Sequence, residues 1–253
     1  MQSAAHRATA TTIDDAEVAR FSAIAAEWWD ESGKFAPLHK LNPARISYLR
    51  DQIIRHFSCT CETATPLKNL SLVDIGCGGG LISEPMARLG AQVTGIDASQ
   101  TNIQVASLHA KNAGITIDYR ASTAEQLSLE GAQFDVVLAL EIIEHVADVE
   151  LFYDCLRHLV KPGGLLILST LNRTAKSYAL GIIGAEYVLR WLPKGTHTWS
   201  KFIRPSEMAR SLRQRGLTVL DTCGLTYAPL SGEFSLNNSD LSVNYLMVTT
   251  RAK

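Results

Sequence analysis

Short apolar runs alternate with helical patterns between residues 70 and 171, and this alternation restricts the fold more than any other feature of the chain. The apolar runs are residues 70–75, 92–96, 115–120, 134–140 and 165–171. Helical spacing occurs in residues 81–89, 100–112 and 151–159. Nearly continuous apolar strands separated by helices are typical of a parallel sheet that is covered on both faces. The pattern therefore predicts a doubly wound α/β fold.

The flanking segments predict further elements on both sides of this core. Two helices are expected at residues 14–29 and 42–57, and Asn42 followed by Pro43 has the pattern of a helix N-terminus. A polar linker follows at residues 58–69. The rhythm breaks at residues 172–204, which we interpret as a helical insertion after strand five. The chain then resumes with a helix and two strands, which are expected at residues 205–215, 217–224 and 243–250.

These elements together predict a mostly parallel sheet of seven strands with N-terminal helices and a helical insertion. We expect a disordered N-terminal tail at residues 1–12 and a single domain over residues 13–253. The predicted parts of this domain are the N-terminal helices with the linker, the core, the insertion and the C-terminal elements, at residues 13–69, 70–171, 172–204 and 205–253.

The charge and the hydropathy of the chain exclude several classes of protein. Lys and Arg number 24 against 25 Asp and Glu, so no overall field attracts nucleic acid, and none is expected as a partner. No apolar run is long enough to span a membrane, and the N-terminus lacks the apolar core of a secretory signal. We predict a cytoplasmic protein. Because residues 1–12 carry no acidic residue, the mitochondrial matrix remains the alternative.

A glycine-rich loop follows the first strand directly, in the order Asp74-Ile75-Gly76-Cys77-Gly78-Gly79-Gly80. Glycines allow the backbone to approach a ligand closely, and the helix after the loop offers free amide groups. Leu81 stands where the nicotinamide-binding fingerprint has its third glycine, so a nicotinamide oxidoreductase is only a distant alternative. The loop instead resembles motif I of class I S-adenosylmethionine-dependent methyltransferases, which have a Rossmann-like fold. Asp74, Gly76 and Gly78 are therefore expected to bind this cofactor.

Two further strand ends are expected to contact the cofactor, because ligands of open α/β sheets bind at the carboxyl ends of the strands. Asp97 ends the second strand, where a carboxylate can accept hydrogen bonds from both ribose hydroxyls. Leu140 ends the fourth strand, and its backbone should flank the cofactor.

Several segments taken together resemble the ubiquinone biosynthesis O-methyltransferases, which act on polyprenyl-substituted phenols and catechols. The resemblance implies a methyltransferase that binds S-adenosyl-L-methionine, with Arg45 reaching the cofactor beside Gly76, Asp97 and Leu140. The resembling segments are residues 21–29, 42–45, 74–80, 141–146, 169–173, 184–187, 193–197 and 243–245.

Glu141, Glu144 and His145 follow the fourth strand at a spacing that would place them on one face of a helix beginning near Glu141. Two carboxylates and an imidazole could then hold Mg²⁺, which would polarise a catechol oxygen. In the alternative interpretation His145 is a general base oriented by a glutamate, with Glu141 as the catalytic partner. A third interpretation is an acidic helix N-terminus with a partly buried histidine.

Residues 176–204 are apolar with a basic fringe, a pattern that suits a helix lying on an anionic membrane surface. The alternative is a lid or a core helix. An enzyme for polyprenyl substrates must meet them in lipid, so we predict peripheral association with the inner membrane, and a ubiquinone biosynthetic complex as a further partner. Two other functions stay open on the sequence: methylation of another small-molecule acceptor, and a non-catalytic S-adenosylmethionine-binding component of such a complex.

Overall fold

One sheet of eight described strands organises the molecule. The computed structural model describes residues 11–60, 63–180, 198–228 and 232–253. The strands are β1 (Ser71–Ile75), β2 (Gln92–Asp97), β3 (Asp118–Ala121), β4 (Phe134–Leu140), β5 (Val160–Leu171), β6 (Leu217–Ala228), β7 (Glu233–Asn237) and β8 (Asn244–Arg251). They lie in the order β3-β2-β1-β4-β5-β8-β6-β7. The first five in sequence pair in parallel, which confirms the doubly wound core.

The prediction of seven strands is wrong by one. β8 runs antiparallel to β5 and to β6, and β6 turns back on β7 as an antiparallel hairpin in which Tyr227 faces Phe234. β7 is short, three of its five residues are polar, and Glu233 and Ser235 are exposed. A mainly polar edge strand of this kind gives only a weak periodic signal.

Helices cover both faces of the sheet. They are α1 (Asp15–Ser22), α2 (Ala36–Phe57), α3 (Ser83–Arg88), α4 (Gln100–Asn112), α5 (Ala124–Leu129), α6 (Val149–Leu159), α7 (Ala175–Ser177) and α8 (Pro205–Gln214). Single 3₁₀ turns occur at Ala25–Glu27, Ile143–His145 and Trp199–Lys201. Two large apolar clusters, one on each face, fill the space between the helices and the sheet.

The N-terminal helices differ from their predicted bounds. α1 ends at Ser22, and the 3₁₀ turn after it leads to a reversal in which Trp28 stacks on Phe35 with ring centroids 3.7 Å apart. α2 begins at Ala36 instead of Asn42, so Pro43 lies inside the helix. Pro43 is the eighth residue of α2, beyond the first turn in which proline is readily tolerated, and it has no N–H to donate to the carbonyl of His39.

The insertion is described only in part. α7 follows β5, the 3₁₀ turn at Trp199–Lys201 precedes α8, and residues 181–197 between them lie outside the described residues. Residues 1–10 of the predicted tail also lie outside them. Among the described helices, none combines the length and the hydropathy needed to cross a bilayer.

Candidate active site

A cavity of about 740 Å³ opens at the carboxyl ends of β1, β2 and β4. The site residues predicted from the sequence line it with the exception of Gly78: Arg45, Asp74, Gly76, Asp97, Leu140, Glu141, Glu144 and His145. α1 and α2 form a further wall of the cavity, with Glu17, Phe21 and Leu41 among the lining residues. Strand ends, glycine loop and N-terminal helices therefore meet at one site.

The glycine loop between β1 and α3 turns through the left-handed region of backbone space. Gly76 has a φ of +72° and Gly78 a φ of +53°, values that glycine adopts at little cost. A Cβ atom at Gly78 would lie 2.3 Å from the ring of Trp28. The loop therefore needs glycine both for its backbone conformation and for the ring packed against it.

Asp97 is held rigidly at the end of β2. One carboxylate oxygen, Oδ2, accepts from the backbone N–H of Gly78 at 3.0 Å, and Oδ1 accepts from the N–H of Ser99 at 2.8 Å. The side-chain amide of Asn102 also donates to Oδ1, at 3.2 Å. Burial raises the pKa of Asp97 above its ordinary value, and these donors act against that rise.

Asp74 and Arg45 are both buried and line the same cavity. Asp74 accepts a hydrogen bond from the hydroxyl of Ser83 at 2.6 Å, and burial raises the pKa of Asp74 to about 6. Arg45 is only 3% exposed, and its Nη2 donates to Glu141 Oε1 at 3.0 Å. The Nε of Arg45 has no acceptor among the described residues. A buried donor without a partner is costly, so this atom is suited to a ligand oxygen.

Glu141 does not begin a helix, which contradicts the prediction. Its φ is +53°, so the chain turns sharply at this residue as it leaves β4. Glu141 Oε1 accepts from Arg45, from the hydroxyl of Ser169 at 2.7 Å and from the amide of Asn244 at 3.0 Å. A residue other than glycine in this conformation costs roughly 1–3 kcal/mol, and these three bonds offset that strain.

Glu144 and His145 lie in the 3₁₀ turn Ile143–His145 and point to different partners. The buried carboxylate of Glu144 accepts from the hydroxyl of Thr170 at 2.9 Å, its other oxygen has no partner among the described residues, and burial raises its pKa. His145 Nδ1 lies 3.1 Å from Glu17 Oε2 on α1. Burial alone would raise the pKa of Glu17, but the hydrogen bond with His145, together with the positive charges of Arg20 and Lys201, lowers it below its ordinary value.

The predicted metal ligands therefore do not share a helix face. Over the described ranges, no three His, Cys, Asp or Glu side chains form a group that could hold a metal ion. Glu141 is paired with Arg45, and His145 with Glu17. Of these three side chains, Glu144 has an oxygen without a partner among the described residues. A shared ion would require at least one of the three side chains to move.

Several contacts at the site have no signal in the sequence pattern. Glu17 lies 128 residues before His145, and Asn244 lies 103 residues after Glu141. Both residues are brought in by tertiary structure, Glu17 by α1 and Asn244 by the pairing of β8 with β5. Asn102, which supports Asp97, stands only five residues after it, and the N-terminal turn of α4 could have indicated its role.

Comparisons with known proteins agree with this geometry. A family model described as a methyltransferase domain matches residues 73–168. A protein of Cereibacter sphaeroides named ubiquinone biosynthesis O-methyltransferase is 54% identical over 243 residues, 96% of this chain and 98% of the relative. A protein of the same name from Mesorhizobium japonicum is 52% identical, covering 95% and 96% of the two chains.

Solved structures of methyltransferases share the fold. Magnesium protoporphyrin IX methyltransferase of Synechocystis PCC 6803, solved with bound S-adenosylmethionine, aligns with a TM-score of 0.59 at 16% identity over 96% of this chain and 100% of that chain. A methyltransferase of Thermotoga maritima aligns with a TM-score of 0.63 at 17% identity over 92% and 99% of the two chains. At these identities the likeness concerns the fold alone.

Proposed function

Because this chain belongs to the ubiquinone biosynthesis O-methyltransferases, we propose that it methylates hydroxyl groups of polyprenyl-substituted phenols or catechols. It is an O-methyltransferase, its cofactor is S-adenosylmethionine and its acceptor is a phenol. One observation carries the proposal: a single cavity joins the glycine loop and Asp97 to the pair formed by His145 and Glu17. A cofactor and an acceptor can therefore meet inside it.

The proposed cofactor contacts follow from the charges that line the cavity. Asp97 accepts hydrogen bonds from the ribose hydroxyls, and its carboxylate is oriented by hydrogen bonds from Gly78, Ser99 and Asn102. Arg45 binds the carboxylate of the methionine part through its unpartnered Nε, and Asp74 attracts the ammonium group, directly or through water. The backbone at Gly76 and Leu140 flanks the cofactor. S-adenosylmethionine supplies an electrophilic methyl group when it is bound.

His145 is proposed as the general base that takes the proton of the acceptor hydroxyl. A phenol with a pKa near 10 is a poor nucleophile until it loses this proton. Glu17 contacts Nδ1 of His145 and would favour the imidazolium that forms, and Phe21 packs against the ring with centroids 5.2 Å apart. These contacts hold the imidazole in one orientation. Glu141 is proposed to act mainly by positioning Arg45.

The donor types of Glu141, Glu144 and His145 suit Mg²⁺, whereas their arrangement among the described residues does not fit a shared ion. No step is therefore assigned to a metal. A chelator experiment separates the two chemistries, because general-base catalysis by His145 does not depend on free Mg²⁺.

The direct test incubates the protein with labelled S-adenosylmethionine and a short-chain polyprenyl catechol, with and without chelator. We expect a methyl ether in both samples, and at least about a hundredfold loss of kcat in His145→Gln with cofactor affinity retained. His158→Gln, at an exposed histidine of α6, is the matched control and should keep full activity.

Three results would change the proposal. A product that disappears with chelator and returns with Mg²⁺ would replace the general base by a metal held by Glu141, Glu144 and His145. Full activity in His145→Gln would remove the histidine from catalysis. Measurable cofactor binding without any methyl ether would contradict the proposed acceptor.

The surroundings of the site support two further parts of the proposal. Residues 13–253 are proposed to be one methyltransferase domain, because α1 and α2 line the same cavity as the sheet.

We also propose contact with the inner membrane through residues 176–204, in the cytoplasm or, as the alternative, in the mitochondrial matrix. Tyr178 and Leu180 are exposed by 47% and 53% in the described part of this segment. Membership of a biosynthetic complex stays a prediction that co-purification can test.

A further inference from the structure

The hairpin formed by β6 and β7 lies at the opposite edge of the sheet from β3 and lines the far end of the cavity. Leu225, Tyr227 and Phe234 contribute apolar side chains to the lining, and the rings of Tyr227 and Phe234 are 5.0 Å apart. The cofactor residues Gly76 and Asp97 lie at the carboxyl ends of β1 and β2, on the other half of the sheet. The hairpin end is therefore on the acceptor side of the cavity.

The first turns of α2 form the facing wall. Pro37, Leu38 and Leu41 line the same cavity, and α2 packs directly against β7. Leu38 and Phe234 are both partly buried against one apolar cluster of the core. The two walls are thus anchored to the fold, and the space between them is bounded by hydrocarbon on both sides.

The charged groups at this end neutralise each other. Lys176 Nζ lies 2.7 Å from Asp240 Oδ2, and both residues line the cavity. The other polar lining residues nearby, Thr226 and Asn237, are uncharged. Among the described residues, this part of the cavity therefore offers an ionic ligand no unpaired charge, whereas a branched hydrocarbon gains from burial against Leu38, Tyr227 and Phe234.

We propose that the hairpin and the start of α2 form a subsite for the first isoprene units of the acceptor's polyprenyl tail. The inference rests on the proposed function, and it assigns the additional strand β7 a role in substrate selection. The ring of the acceptor lies beside His145, and the tail runs from there between Leu38 and Phe234. Tail binding at this place positions the hydroxyl for methyl transfer, so it contributes to kcat/KM.

The test compares two catechols with the same ring, one with a methyl group in place of the tail and one with two isoprene units. The ratio of their kcat/KM values measures the advantage given by the tail. We expect Phe234→Ala to reduce this ratio by about tenfold, since truncating a side chain in an apolar pocket has effects of this size. Leu236→Ala is the matched control: Leu236 is on the same strand, is 40% exposed and does not contribute to the lining, so the ratio should not change.

Leu38→Ala should lower the ratio as well. Because Leu38 lies in α2, this result does not depend on whether the hairpin folds in Phe234→Ala. Cofactor affinity of each variant reports whether the fold is intact. A ratio that stays at the wild-type value in Leu38→Ala, or in a folded Phe234→Ala, would overturn the inference. Failure of the proposed function looks different, because the wild-type protein would then form no methyl ether from either catechol.

Discussion

Asp74 combines a buried carboxylate with a position next to the cofactor loop, and this combination makes cofactor binding sensitive to pH. Burial raises its pKa to about 6, whereas Ser83 and Arg45 favour the ionised form. An ammonium group bound nearby favours the ionised form further, so binding lowers the pKa of Asp74. Affinity for S-adenosylmethionine should therefore be highest above the pKa of Asp74 in the cofactor-free protein, and it should fall as the pH drops below that value.

We expect this affinity to be about tenfold weaker at about pH 5 than at about pH 7, as measured by titration calorimetry. The ammonium group of the cofactor stays protonated over this range, because an α-amino group has a pKa of roughly 8. Asp74→Asn should bind weakly at both pH values. Asp118→Asn, at a half-exposed carboxylate of β3, should keep the wild-type pH dependence. An affinity of the wild-type protein that is independent of pH would contradict the proposed role of Asp74.

The sequence indicated the site residues whose positions depend on local structure. Asp74, Gly76, Asp97 and Leu140 each lie at the carboxyl end of a strand or directly after it, so the strand pattern alone brings them to one edge of the sheet. The partners of His145 and Glu141 come from elsewhere in the chain. Glu17 reaches His145, and Asn244 reaches Glu141, only through tertiary contacts that a local pattern does not contain.

At the scale of elements, the segment between α1 and α2 supports the cofactor loop. The indole N–H of Trp28 donates to Asn102 Oδ1 at 3.0 Å, and Asn102 in turn donates to Asp97 at 3.2 Å. The ring of Trp28 also lies against Gly78, as the clash with an added Cβ atom shows. This N-terminal segment therefore orients the carboxylate that we assign to the ribose.

Trp28→Phe keeps an aromatic ring against the loop but removes the N–H that holds Asn102. We expect the Kd for S-adenosylmethionine to rise about three- to tenfold, which corresponds to the loss of one hydrogen bond, with little change in kcat. Trp199→Phe removes a similar bond, from the indole to the carbonyl of Thr174, at a half-exposed position and should leave the Kd unchanged. Equal Kd values for wild type and Trp28→Phe, measured by calorimetry, would show that this link does not reach the cofactor.

The elements that were predicted wrongly share a physical cause. Pro43 has the local preference for a helix start, but α2 gains further apolar contacts through Leu38 and Leu41 and so begins at Ala36. Glu141 has the spacing for a helix with Glu144, yet the bonds from Arg45 and Asn244 stabilise a left-handed turn. In both places tertiary contacts outweigh local propensity, which amounts to about 3 kcal/mol for a proline inside a helix and to about 1 kcal/mol or less for other residues.

At the scale of the whole molecule, an acceptor dissolved in lipid must reach the cavity, and the partly described insertion lies next to it. Leu180 and Lys176 line the cavity, and Tyr178, which lies between them in the sequence, is 47% exposed. The exposed side chains of Tyr178 and Leu180 belong to a segment that also carries Lys176 and Lys201, and this composition is typical of a segment that lies on an anionic surface. Membrane contact at this place would bring the acceptor to the apolar end of the cavity.

We expect the wild-type protein to float with vesicles that contain phosphatidylglycerol, and to do so less at high salt, because charge attraction is screened. Replacing Tyr178 and Leu180 by serine should reduce the partition coefficient by at least about tenfold, since two apolar side chains no longer enter the interface. Leu129→Ser is the matched control, at a leucine of α5 that is 88% exposed away from the cavity. A wild-type protein that stays in the soluble fraction would refute membrane contact, and an equal effect of Leu129→Ser would show that the contact is not made by residues 176–204.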